Sequence, residues 1–163
     1  MNYPSSDPCP CGSGKPFKLC CLGVIENDSA TTPEMLMRSR YSAYATANYQ
    51  YILDTYTAST RPTVDADRLA EDNQYTRWLA LRVLNATCEP NTGTVDFIAY
   101  FAENKQLQQL SEHSRFVKDN GRWRYIDGDI NAHGVFKIGR NETCFCGSGN
   151  KFKRCCSPLI TAG

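Results

Sequence analysis

The sequence predicts an α+β fold, helices first and a curved antiparallel sheet after them, with a small cysteine-rich module at each end. Three observations carry this. Apolar residues recur at helical spacing as far as about residue 75 and alternate with period two after Arg77. Asn120-Gly121, between two apolar runs, is the strongest short hairpin signal. Eight of the nine cysteines fall in two clusters of spacing C-x-C-x8-C-C, leaving Cys88 alone. The 163 residues, 41% hydrophobic, suffice for one compact core and exclude wholesale disorder. A net charge of +1, from 18 bases and 17 acids, excludes a bulk nucleic-acid binder, so any polyanion contact must be local. No apolar run reaches the ~20 residues of a membrane helix. The start, MNYPSSDPCPCG, has neither a basic nor an apolar leader segment, which predicts a cytoplasmic chain.

The two clusters form an internal repeat. CPCGSGKPFKLCC at 9–21 aligns without gaps to CFCGSGNKFKRCC at 144–156, with nine of thirteen positions identical and every cysteine displaced by 135. A secreted disulfide scaffold would scatter its cysteines through the fold. Adjacent Cys20-Cys21 and Cys155-Cys156 would make a strained vicinal bridge, whereas neighbouring thiolates can share a cation if the backbone bends. Four thiolates suit tetrahedral zinc. Cys9, Cys11, Cys20 and Cys21, and then Cys144, Cys146, Cys155 and Cys156, are therefore read as ligands of two zinc ions per chain. An iron–sulfur centre, another thiophilic metal, or unligated redox thiols are the alternatives. Gly-Ser-Gly after the first pair lets the backbone bend towards a common centre. Four protein ligands leave no open position for catalysis. Lys15, Lys18, Lys151, Lys153 and Arg154 can offset the surplus thiolate charge or meet a partner, and Phe17 and Phe152 are expected to cover the metals.

Between the modules, residues 22–31 read as a polar connector. Thr32 as N-cap, Pro33 at the first helical position and Glu34 in the first turn open a helix over 33–47. Leu36, Arg40, Ala43 and Ala47 share one of its sides, with Met37, Tyr41 and Tyr44 beside them. A second helix, 49–56, ends before Ser59-Thr60-Arg61-Pro62, and 65–75 makes a third helical stretch. The first strand alternates Leu79, Leu81 and Val83 with Ala80, Arg82 and Leu84. The second, 94–102, turns Val95, Phe97, Ala99 and Phe101 to one face; 107–118 and Arg122 to Asp127 complete a four-stranded meander with helices on one face. Cys88 reads as a small buried residue on a strand. Three parts follow: 1–27, 28–137 and 138–163.

The two cysteine strings resemble the SEC-C motif, the zinc module at the C-terminus of the translocation ATPase SecA, whose fourth ligand is commonly His where this chain has Cys21 and Cys156. That resemblance implies docking to a chaperone or the ribosome. MRSRYSAYA at 37–45, STRP at 59–62, HSRF at 113–116 and DNGRWRYIDGD at 119–129 resemble the bacterial YchJ family. The resemblance implies a nuclear transport factor 2-like cone between two SEC-C motifs and no settled activity.

A cone of this kind can enclose a pocket. With Asn120-Gly121 as the hairpin loop, Phe116 falls opposite Tyr125, Ser114 opposite Asp127 and Glu112 opposite Asp129, leaving His113 and Arg115 on the other face. Arg38, Arg40, His113 and Arg115 are the candidates for an anion-binding cleft, and with Tyr44 for a ligand pocket; ion pairs and hydrogen bonds fixing helix to sheet are the plainer reading of the same residues. No phosphate loop, dinucleotide fingerprint, metalloprotease pattern or nucleophile elbow occurs. The leading expectation is a zinc-binding adaptor contacting a partner protein or the ribosome. A small-ligand binder or enzyme using the cone, and a zinc-thiolate redox sensor, stand beside it.

Overall fold

The computed structural model of the chain describes residues 3–161. Its elements are α1 (Cys21–Asn27), α2 (Pro33–Ala45), α3 (Tyr49–Asp54), α4 (Ala66–Asn73), β1 (Thr76–Ala86), β2 (Thr92–Glu103), β3 (Gln106–Asp119), β4 (Arg122–Val135) and α5 (Ser157–Thr161), with a 3-10 turn inside each cysteine module. The four strands pair in sequence order, all antiparallel.

The helix that opens at Thr32 is built as its sequence predicts. The Thr32 hydroxyl accepts from the Met35 N–H at 3.1 Å, and Pro33 begins the first turn. It stops at Ala45, because the chain turns left-handed at Ala47 (φ 58°) while the Thr46 and Asn48 N–H groups close on the Ser42 and Ala43 carbonyls. The polar connector is corrected: its first half is helix α1. Cys21 and Ile25, four residues apart, are both buried and give the segment an apolar stripe.

Asn120 (φ 48°) and Gly121 (φ 78°) are both left-handed, as a two-residue hairpin loop of this kind requires. Phe116 pairs with Tyr125 as expected, but a bulge between Arg115 and Phe116 then slips the register. Arg115 faces Asp127, Ser114 faces Gly128 and Glu112 faces Ile130. β4 continues to Val135 rather than ending near Asp127. A further bulge between Trp78 and Ala80 breaks the alternation expected of β1: Trp78 joins Leu81 and Val83 on the inner face, and Leu79 joins Ala80 on the outer one. Cys88 lies beyond β1 and is exposed, contrary to its reading as a buried strand residue.

The core has two parts, one on each face of the sheet. Inside, Leu36 and Tyr41 of α2 pack with Val95, Phe97, Phe116 and Trp123 of the sheet, and Cys9, Cys11, Phe17 and Cys21 belong to the same cluster. Outside, Ala80, Tyr100 and Leu107 pack with Cys144, Phe145, Phe152 and Cys156. The rings of Tyr100 and Phe145 lie 4.5 Å apart. The modules are thus parts of the fold's two cores, not beads on linkers. Asp28, which ends α1, ties the first module to the far hairpin: it accepts from Arg124 at 2.9 and 2.6 Å and from Arg122 at 2.7 Å. Partial burial opposes the Asp28 charge, but these hydrogen bonds outweigh it and hold the carboxyl below the usual carboxylate range.

Candidate metal centres and the inner cavity

Each cysteine module is a hairpin closed by the same bonds. The Cys9 N–H donates to the Lys15 carbonyl at 2.8 Å and the Gly12 N–H to the Cys9 carbonyl at 3.1 Å; Cys144 to Asn150 (2.8 Å) and Gly147 to Cys144 (3.3 Å) repeat the pattern. Gly12 and Gly14 have φ of 76°, and Gly147 and Gly149 have 81° and 75°, so the Gly-Ser-Gly turn needs glycine at both ends. The Ser13 hydroxyl lies 3.3 Å from Cys20 Sγ, and that of Ser148 lies 3.3 Å from Cys155 Sγ. After the 3-10 turn, the backbone bends at Cys20 and Cys155 so that neighbouring thiols converge.

In both clusters the four Sγ atoms lie within 4.8 Å of one another, and the groups can hold a metal ion. Cys11 and Cys20 are 3.6 Å apart and Cys20 and Cys21 3.9 Å; Cys146 and Cys155 are 3.5 Å apart and Cys155 and Cys156 4.0 Å. A tetrahedral ion with ligands at about 2.3 Å sets sulfurs about 3.8 Å apart, so the donor set fits zinc in number, type and spacing. All nine thiols are free of disulfides. Hydrogen bonds from Cys11 and Cys21 draw the Cys9 thiol down, while Cys21, bonded to Cys11 and Cys9 and buried, is pushed up.

The two centres differ in their surroundings. Ser42 of α2, fully buried, places its hydroxyl 3.7 Å from Cys9 Sγ, and Arg38 donates to the Cys11 carbonyl at 3.0 Å. Phe17 and Phe152, expected to cover the metals, are buried in the inner and outer cores and anchor their modules there.

A cavity of about 260 Å³ opens between α2 and the inner face of the sheet. Arg40, 7% exposed, donates to the Ile52 carbonyl at 2.8 Å and to the Thr55 hydroxyl at 2.6 Å. Its guanidinium sits 4.6 Å from the ring centroids of both Tyr56 and Tyr125. Across the cavity, Glu112 Oε1 accepts from the Ser114 hydroxyl at 2.6 Å and the Tyr125 hydroxyl at 2.9 Å. Burial pushes the Tyr44 and Tyr125 phenols up, and the Glu112 charge adds to the rise at both. Trp78 Nε1 is the one buried side-chain polar atom without a partner among the described residues.

With the sites in place, the chain can be set beside known proteins. The family described as YchJ, middle NTF2-like domain, matches residues 32–128, and the SEC-C motif matches 6–23 and 140–158. A UPF0225 protein of Vibrio parahaemolyticus is 40% identical over 164 residues, covering 91% of this chain and 97% of its own. The chain belongs to the YchJ/UPF0225 family. A solved SEC-C motif containing protein from Rhodopseudomonas palustris is 37% identical with a TM-score of 0.68, over 76% of this chain and 98% of its own. Another, from Psychrobacter arcticus, is 29% identical with a TM-score of 0.66, over 96% and 98%. The family's nuclear transport factor 2-like middle and paired SEC-C ends are the architecture described above.

In this member of the YchJ/UPF0225 family, the five candidate pocket residues do not share a site. Arg40 and Tyr44 line the cavity. Arg38 faces the first module and pairs with Glu34 at 2.8 Å. His113 Nδ1 meets Asp96 at 2.6 Å, and Arg115 meets Asp127 and Asp129 at 2.6 Å each, all on the outer face. Glu112, Tyr125, Tyr56 and Trp78, outside those five, also line the cavity. Glu112 carried a readable signal: it shares Phe116's face in the strand, a carboxylate among core positions.

Proposed function

We propose that the chain is a cytoplasmic adaptor that holds two zinc ions, one in each SEC-C motif, and contacts an acidic partner, a protein or the ribosome, through its modules. Cys9, Cys11, Cys20 and Cys21 bind one ion, and Cys144, Cys146, Cys155 and Cys156 the other, which the donor spacing supports. The parts 1–27 and 138–163 are then the metal modules and 28–137 the cone.

One observation carries the contact. Among the described residues, Arg38, Arg61, Arg68, Arg115, Arg122 and Arg124 all pair with carboxylates. Lys15, Lys18, Lys151, Lys153 and Arg154 make no ion pair, and all but Lys153 are exposed. Leu19, 70% exposed beside Lys18, adds an apolar contact. Elemental analysis should give two zinc per chain, with the eight clustered thiols reacting only after denaturation in chelator. Sedimentation with ribosomes and crosslinking in lysate should then capture a partner that charge reversal at Lys15, Lys18, Lys151 and Arg154 releases. A metal-free protein would overturn the ligand assignment, and no capture in either assay would overturn the adaptor.

A second reading, a small-molecule site in the cone, is favoured by the unpartnered, buried Nε1 of Trp78, a residue that lines the cavity.

A further inference from the structure

We propose that the inner cavity binds a small, planar, uncharged molecule with an amide-type edge, a hydrogen-bond acceptor beside a donor. The inference rests on the second reading above and narrows it to a ligand class. At about 260 Å³ the space falls just below the ~300–1,000 Å³ of ordinary ligand pockets, and suits a single ring rather than a long chain. Tyr44, Tyr56, Trp78, Phe97 and Tyr125 supply aromatic walls, against which a flat molecule buries both faces.

Two groups define the polar edge. Trp78 Nε1 is a buried donor without an acceptor, a costly arrangement that a ligand oxygen would satisfy. The other indole, Trp123, already donates to the Thr31 carbonyl at 3.0 Å. Glu112 takes both its protein hydrogen bonds on Oε1, so Oε2 is left to accept a ligand N–H. Charge decides the rest. Arg40 and Glu112 both line the cavity and form no ion pair with each other, so the lining charges cancel. An anion entering would be desolvated against the Glu112 carboxylate, and a cation against the Arg40 guanidinium; an uncharged amide meets neither penalty.

Benzamide, benzoate and benzamidinium share one shape and differ in charge, which makes them the probes. Indole-labelled protein gives two N–H resonances, one for each tryptophan, and Trp78→Phe assigns them. Benzamide is expected to move the Trp78 resonance saturably and leave that of Trp123 in place, with the two ions binding about tenfold more weakly or worse. In Glu112→Gln, benzoate should gain on benzamide by about tenfold, while an unmoved Trp123 resonance shows that the fold is intact. If either ion matches benzamide, or Glu112→Gln leaves the ratio unchanged, the ligand class is wrong although the cavity binds. If no probe moves Trp78 at millimolar concentration, the small-molecule reading itself falls.

Discussion

Replacing Phe17 with alanine would separate a module that merely hangs from the chain from one built into its core. The ring is 0% exposed and packs with residues of α2 and the sheet interior. Its edge also meets Tyr3, with ring centroids 5.4 Å apart at 84°. Removing a buried phenylalanine costs about 3–5 kcal/mol, of which the aromatic pair is about 0.5–1.5. At about 2–4 °C per kcal/mol for a chain of this size, the melting temperature should fall by about 6–20 °C. Calorimetry gives the global transition, and the fluorescence of Trp123, 2% exposed in the same core, reports whether the interior goes with it. Coincident, lowered transitions are expected. A melting temperature within about 2 °C of wild type, with only metal binding impaired, would show that the N-terminal module opens independently and that its place in the inner core is energetically empty.

Asp28→Asn removes the shared acceptor of Arg122 and Arg124 and should cost about 1–3 kcal/mol in urea unfolding at neutral pH. Because the folded-state Asp28 carboxyl is held below its ordinary value, its contribution is full above about pH 4 and is lost as pH falls through the lower folded value. Wild type and variant should therefore converge in acid, and a gap that persists at low pH would refute the assignment. Gly128→Ala would drive a Cβ into Glu112 Oε1, forcing that side chain off its Ser114 and Tyr125 partners. A loss of about 1–3 kcal/mol is expected in denaturant unfolding, and a neutral result would mean that Glu112 has room to move.

What could be read in advance was encoded locally. The Thr32 cap, the Asn120-Gly121 loop and the Cys spacing each need only a few neighbouring residues to act, and each appears where its pattern stands. The bulges leave no such mark, since an extra residue in a strand is chosen by what the opposite strand presents. One of them moved Leu79 to the outer face and another carried Arg115 across to Asp127. Arg38 and Arg40 stand close in sequence, but residues two apart on a helix point about 200° from one another. The first therefore reaches the module and the second the cavity. Helix α1 was hidden because Gly23, Asn27 and Asp28 gave its segment a loop composition, while its helical evidence was only the pair Cys21 and Ile25.

β1 is an edge of the sheet, and unguarded edges invite pairing with another chain. Both modules lie against it. A Cβ on Gly12 would sit 3.7 Å from the Leu81 carbonyl oxygen, Ala80 is buried in the outer core with Cys144 and Cys156, and Arg77 donates to the Leu159 carbonyl at 3.2 Å. The repeat thus clasps one margin of the sheet from two sides, doing by bulk what other proteins do with lysine or proline. Unfolding either clasp would bare part of this edge, whose free N–H and C=O groups could then pair with another chain, with the exposed Arg77 and Arg82 left as its own guard.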